Sequence, residues 1–190
     1  MKAINKFLKE AKFVTPIHIP SENEIRFVIN ERSLLNLNVD KSKSLDYTDM
    51  YVSTSRRFRQ VYLDNKTDDY DSEKIYELKS EPGKKEKTVI EIDHKALEDA
   101  LNGKKIIMKI IKKGIGQITF SKIGTSGYCE RIIAMANSQV ICDELQIEFE
   151  DINDFGQMDY LIEMINPEKV FQCGLIDYVM NKAKFQGRQV

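Results

Sequence analysis

Lys105-Ile106-Ile107-Met108-Lys109-Ile110-Ile111, then Lys112-Lys113-Gly114-Ile115-Gly116, then Gln117-Ile118-Thr119-Phe120 is the stretch on which the fold turns. Its isoleucines are β-branched and stiff, which suits a pleated strand. At a period of two, Ile106, Met108 and Ile110 share one face and Ile107 and Ile111 the other, so the strand is expected to be covered on both sides, at least in part. The two glycines sit where a chain reversal would need them, so the stretch reads as a hairpin with a glycine-bearing loop.

Upstream, Thr88 to Ile92 reads as a strand. Asp93 stands at a helix N-cap position, and Ala96, Leu97, Ala100 and Leu101 make one helical stripe that Asn102-Gly103 ends. Met50 to Thr54 has strand composition, and Ser55 is placed to cap a short helix through Phe58, Val61 and Tyr62. Ile4, Phe7, Leu8 and Ala11 predict a first helix. Strands through Val14, Ile17 and Ile19 and from Glu24 to Ile29 follow, expected to pair as an antiparallel hairpin. Asp64 to Ser72 reads as an exposed acidic loop.

Downstream, Gly124 to Gly127 is a break and Tyr128 to Asn137 a short helix candidate. Val140 to Cys142 and Leu145 to Phe149 read as strand. Phe155, Met158, Leu161, Ile162 and Ile165 fit a helix, and Pro167 opens a second helix through Val170, Phe171, Leu175, Tyr178 and Val179. The expected class is α+β: an antiparallel or mixed sheet with flanking helices and a helical C-terminus. One domain over residues 1–190 is expected, and its only internal boundary would separate residues 1–123 from an acidic C-terminal segment, residues 128–190.

The chain has 190 residues, 42% hydrophobic and 31% charged, with a formal net charge of -1. That composition is globular, and the charge balance gives no overall pull toward nucleic acid or a membrane surface. No apolar run is long enough to span a bilayer, and Met1 to Lys12 has no secretory h-region. Three widely spaced cysteines, Cys129, Cys142 and Cys173, fit a reducing compartment, so the expected location is the cytoplasm.

Catalytic and metal signatures do not assemble. Gly114-Ile115-Gly116 lacks the helix that a phosphate-cradling loop requires. From Asp64, an EF-hand would place Lys66, Asp69 and Ile75 where oxygen ligands or glycine belong. His18 and His94 have no zinc spacing, there is no CxxC pair, and no nucleophile elbow is present. A spatial Cys-His pair stays open, as the minor alternative to buried thiols. The expectation is no catalytic residue, no metal, no cofactor and no enzyme.

Two charge features stand out. Residues 132–168 contain no Lys or Arg but nine acids, among them Glu148, Glu150, Asp151 and Asp154. Residues 104–131 carry seven bases against the single acid Glu130. Either the acidic segment is a face for a basic partner, conceivably a nucleic-acid mimic, or the two segments neutralise each other in the fold. The second feature is Arg56, Arg57 and Arg59 beside Phe58 and Tyr62, a set able to hold phosphate and stack on bases. These three arginines with Glu148, Glu150, Asp151 and Asp154 are the candidate partner-binding residues.

Phe7-Leu8-Lys9-Glu10-Ala11-Lys12-Phe13-Val14-Thr15-Pro16-Ile17-His18-Ile19 resembles the opening of the SseB N-terminal domain family, a helix followed by a V-x-P strand. Met50 to Ser55 falls where that family has a P-x-F-T-S strand, here without the Pro and the Phe. Ile92 to Leu101, then Ile106 to Ile110, is similar to its later helix and closing strand. The resemblance spans about residues 1–120. It implies a small α+β domain without agreed catalytic residues.

The functional expectation is therefore a non-enzymatic, SseB-like cytoplasmic protein acting through protein contacts. One alternative is a phage or mobile-element inhibitor that turns an acidic face on a nucleic-acid-binding enzyme. Another is weak nucleic-acid binding through the arginines and the Lys104 to Lys113 region. No membrane partner is expected.

Overall fold

The computed structural model describes residues 13–14, 24–62, 75–80, 87–92, 95, 97, 101–102, 105–150, 152 and 155–185. Its strands are β1 (Phe13–Val14), β2 (Glu24–Ile29), β3 (Val39–Asp40), β4 (Asp46–Ser53), β5 (Arg56–Tyr62), β6 (Ile75–Ser80), β7 (Lys87–Ile92), β8 (Met108–Phe120), β9 (Thr125–Ala136), β10 (Gln139–Glu150) and β11 (Lys169–Phe171). The helices are α1 (Glu31–Leu35), α2 (Phe155–Ile165) and α3 (Leu175–Phe185). All strands join one sheet in the order β1-β11-β2-β10-β9-β8-β4-β5-β6-β7, with β3 beside the far half of β8. Every pairing is antiparallel except β1 with β11.

This corrects the expected α+β class: the described chain is mostly antiparallel β, and its helices are few and short. Three helix or turn readings fail, the first of them because β9 is apolar on both faces. Strands covered on both faces lose the clean alternation that marks a strand. Tyr128 to Ala136, all but the last residue of the expected helix, is strand, with Ile132, Ala134 and Ala136 buried on one face of β9. Arg56 to Tyr62 is strand, not a capped helix. The stretch from Met108 to Phe120 does not turn back. It is one 13-residue strand, and its register slips between Gly114 and Gly116 opposite Glu130 and Cys129.

That slip is a β-bulge with a consequence for the site. One extra residue reverses which side the following side chains face. Before it, Met108, Ile110 and Lys112 point to one face, and after it Ile118 and Phe120 point to the other. The bulge also moves β8 from pairing with β4 to pairing with β3. Gly116 has φ 143°, which a side chain rarely tolerates, and a Cβ there would strike the Asp40 carbonyl of β3.

β9 and β10 form a long hairpin closed by Asn137 and Ser138, both with positive φ (48° and 62°), as a tight two-residue turn requires. β8 and β9 are joined by a short turn, Ser121–Ile123 with Gly124 at φ 64°, and pair from Phe120 and Thr125 onward. At the N-terminal side, β2 pairs with β10 and β11. Of the expected strand through Val14, Ile17 and Ile19 only Val14 is among the described residues, in β1, and it pairs with β11 rather than with β2. The expected first helix and acidic loop lie outside the described residues. Of the two C-terminal helices, α2 matches its stripe. The second starts only at Leu175, because Lys169 to Phe171 is strand.

Both faces of the sheet are packed. On one, α2 lays Met158, Leu161, Ile162 and Ile165 over Phe27, Ile118, Cys129, Ile147 and Phe149. On the other, α3 and the segment before it bring Cys173, Ile176, Tyr178 and Val179 against Val28, Met108, Ile110, Ile132 and Ala134. A smaller cluster joins Phe58, Ile75 and the helical Leu97.

Candidate functional site

The α3 side of the sheet carries more than an apolar core. Alternation places Glu24 and Arg26 of β2 on that side together with Val28, and the antiparallel registers extend the row. It continues through Glu144, Gln146 and Glu148 of β10, Glu130 of β9, Lys112 of β8, Tyr47, Asp49 and Tyr51 of β4, and Arg57 and Arg59 of β5. Asp49, Glu130 and Gln146 are 0% exposed and Arg26 is 1% exposed. Burying so many charges is costly unless each is paired and hydrogen-bonded.

The pairing is dense. Arg26 Nη1 donates to Glu130 Oε1 at 2.7 Å and lies 3.4 Å from Gln146 Oε1. Its Nη2 donates to Glu148 Oε2, and its Nε to Glu24 Oε2 at 3.3 Å. Lys112 Nζ sits 3.5 Å from Glu130 Oε1. Arg59 grips Asp49 with two hydrogen bonds of 2.8 Å, the bidentate fork that suits a carboxylate. Its guanidinium lies 3.9 Å from the centre of the Tyr47 ring, and Lys112 Nζ lies 5.0 Å from the same ring.

Arg57 differs. Its Nε is 3.2 Å from Asp49 Oδ2 but makes no hydrogen bond, and the atom is buried without a partner. The guanidinium stands 5.5 Å over the Tyr51 ring, which presents it as a flat cation on an aromatic support. Glu130 Oε2 is the other buried side-chain atom among the described residues with no hydrogen-bond partner.

Contacts run along this face from β2 to β5: Arg26 to Glu130, Glu130 to Lys112, Lys112 and Arg59 to Tyr47, and Arg59 to Asp49. Arg26, Asp49 and Glu130 are buried, so the charged wall is recessed, the wall of a trough. Burial pushes the Glu24 carboxyl up, but Arg26, Lys112 and Arg57 together hold it below its ordinary value. α3 lines one part of that wall, where Tyr178 and Lys182 both hold Glu144.

The remaining shifts follow from the same geometry. Burial works against ionised Glu130 and Asp49, yet Lys112 with Arg26, and Arg59 with Arg57, keep these carboxyls below their usual range. Burial would lower Lys112, but Glu130 and Tyr47 raise it. Burial pushes the Tyr47 phenol up to about 12. Glu148 alone among the carboxylates around Arg26 goes the other way: burial raises it, and Glu24 and Glu130 add to the rise against Arg26 and Lys112.

The sequence candidates divide. Arg57, Arg59 and Glu148 stand in the trough. Arg56 lies on the opposite face, where its guanidinium is 5.6 Å from the Phe58 ring centre and pairs with Glu77. Glu150 is exposed at the end of β10, and Asp151 and Asp154 lie outside the described residues. Sequence reasoning missed Arg26, Lys112, Glu130, Asp49, Tyr47 and Tyr51. One signal was available: Glu24-Ile25-Arg26-Phe27-Val28-Ile29 sets an arginine on the same face as Val28. Among the described residues no group of three or more His, Cys, Asp or Glu is arranged to hold a metal. No described helix is long and apolar enough to cross a membrane.

No family model matches the chain, and no curated protein matches it. Among solved structures the chain is similar to a putative adenylate cyclase from Bacillus halodurans. The match has 10% identity and a TM-score of 0.45, over 76% of this chain and 89% of that one. A likeness of that size transfers neither fold nor activity.

The expected non-enzymatic SseB-like protein, docking through outward charged surfaces, is corrected, and so are the acidic-face inhibitor and the weak nucleic-acid binder. In the fold itself acids of the 132–168 segment meet bases from three places: Glu148 pairs with Arg26 of β2, Glu144 with Lys182 of α3, and Asp143 with Arg131 of the basic segment. Arg57 and Arg59 face inward onto Asp49. The physical reason is register. Strand pairing places these charges across from one another, which their separation along the chain conceals.

Proposed function

We propose that the trough binds a small oxyanion of the phosphate class, held between Arg57 and Lys112. The observation that carries this reading is Arg57, its guanidinium over Tyr51, whose buried Nε stands 3.2 Å from Asp49 Oδ2 without making a hydrogen bond. A buried donor left unsatisfied costs about 1–3 kcal/mol, and an anion accepting from it would recover that. Lys112 has three donors and Glu130 as its near partner, so it retains capacity for a second acceptor. Arg26 and Arg59 are saturated by carboxylates, and they fix the walls rather than meet the ligand.

The geometry supports binding rather than covalent catalysis by a thiol. Burial raises Cys129 and Cys142 to about 12 and Cys173 to about 11, far from the thiolate form. The three thiols are also unpaired with one another, which fits a reducing cytoplasm.

Isothermal titration with inorganic phosphate, pyrophosphate and sulfate tests the proposal, with spermidine as the oppositely charged control. Saturable binding of at least one anion, weakened about 10- to 100-fold in Arg57→Ala, is expected from loss of a charge-assisted hydrogen bond. Anion binding unchanged in that variant, or binding of spermidine alone, would overturn the reading.

A further inference from the structure

Two buried side-chain atoms among the described residues have no hydrogen-bond partner, and they are of opposite kind. Arg57 Nε is a donor without an acceptor, and the anion proposed above supplies one. Glu130 Oε2 is an acceptor without a donor, and an anion made only of acceptor oxygens leaves it unsatisfied.

Glu130 belongs to the same site, because its Oε1 lies 3.5 Å from Lys112 Nζ. Arg26 Nη1 reaches that same oxygen at 2.7 Å, so both cations crowd Oε1 and neither serves Oε2. An anion oxygen bonded to Lys112 Nζ stands within about 6 Å of Glu130 Oε1, since the two contacts share one ammonium. Negative oxygens so placed repel each other unless a proton lies between them. Arg26 and Lys112 hold Glu130 ionised despite its burial, so that proton has to come from the ligand.

We propose that Glu130 Oε2 selects among oxyanions by accepting a hydrogen bond from an acidic O–H of the ligand, so that the trough prefers orthophosphate to sulfate. This rests on the anion-binding reading above and names the ligand class of that site. The other carboxylates of the trough do not duplicate the role. Asp49 has both oxygens bonded to Arg59, and Glu144 has both bonded to Tyr178. Glu24 and Glu148 keep 12% and 18% of their side chains exposed, so water reaches them. Glu130 is 0% exposed, so what satisfies its idle oxygen has to be lodged inside the trough.

Isothermal titration at about pH 8 compares three dianions of one shape: orthophosphate, fluorophosphate, which has fluorine in place of the hydroxyl, and sulfate. The wild-type protein should bind orthophosphate about 10- to 100-fold more tightly than the other two, the effect of one charge-assisted hydrogen bond. Fluorophosphate and sulfate should still bind, more weakly, through Arg57 and Lys112. In Glu130→Gln the three affinities should come within about threefold, because a neutral amide accepts from a hydroxyl as readily as it donates to a bare oxygen. Equal wild-type affinities, tighter binding of an ion without the hydroxyl, or a preference that survives in Glu130→Gln overturns the selectivity and leaves the anion site standing. No saturable binding of any of the three sinks both. If Glu130→Gln does not fold, a wild-type crystal grown in orthophosphate decides. A phosphate oxygen within about 2.8 Å of Glu130 Oε2 supports the proposal. Phosphate seated on Arg57 and Lys112 with Oε2 beyond its reach overturns it.

Discussion

Arg26→Met removes the charge at the centre of the trough while filling nearly the same volume. Arg26 is 1% exposed and contacts Glu24, Glu130 and Glu148, so the variant leaves three buried carboxylates with Lys112 as their one close base. Breaking a buried pair by deleting one partner costs about 3–5 kcal/mol, and three orphaned acids place this change toward the upper end. With a urea slope of about 1–3 kcal/mol per molar, the unfolding midpoint should fall by at least about 1 M at neutral pH.

The pH dependence gives the sharper signature. In the wild-type protein Glu24 and Glu130 have folded values below the ordinary 4.5. Their contribution is therefore complete above the unfolded value and is lost as pH falls through the depressed folded ones. Glu148 has the opposite sign: its raised value makes stability decline as pH rises from 4.5 through the folded value. In Arg26→Met all three carboxyls should be raised, so the gap between variant and wild type should narrow steadily on acidification. Urea denaturation followed by circular dichroism from about pH 5 to 8 measures it. A loss under about 1 kcal/mol at neutral pH, or a gap that does not change with pH, would refute the reasoning.

Gly116→Ala should destabilise by at least about 2 kcal/mol, through strain at φ 143° and a clash with the backbone of β3. Chemical denaturation checks this, and wild-type stability would remove the bulge from the account. Cys129, Cys142 and Cys173, all buried and raised, should resist a thiol-disulfide reagent in the native state and react together once the protein is unfolded. Rapid native labelling of any of them would contradict their burial.

Much of the secondary structure was legible, but the class was not. The runs at Glu24 to Ile29, Met50 to Ser53, Thr88 to Ile92 and Leu145 to Phe149 announce strands by composition alone. Phe155 to Ile165 announces a helix by its stripe. What failed was the middle. Gly114 and Gly116 look like a turn because glycine serves both reversals and bulges, and only the approach of β3 distinguishes the two. Ile132, Ile133 and Met135 look helical because β9 has apolar neighbours on both sides.

The site was only half legible for a related reason. Arg56, Arg57 and Arg59 were visible as a cluster, and once the segment is strand, alternation alone sends Arg57 and Arg59 to one face and Arg56 to the other. The charge asymmetry after Ile132 was equally visible. Its resolution was not, because Glu148 finds its cation 122 residues away at Arg26 and Glu130 finds the same one across 104 residues. Such pairings exist only once strand order is fixed.

Tungstate, a heavy tetrahedral dianion, can be located in crystals by its anomalous scattering. A peak within hydrogen-bonding reach of both the Arg57 guanidinium and Lys112 Nζ is the predicted result. Peaks confined to outer lysines such as Lys109 and Lys113, with the inner wall empty at saturating tungstate, would contradict it.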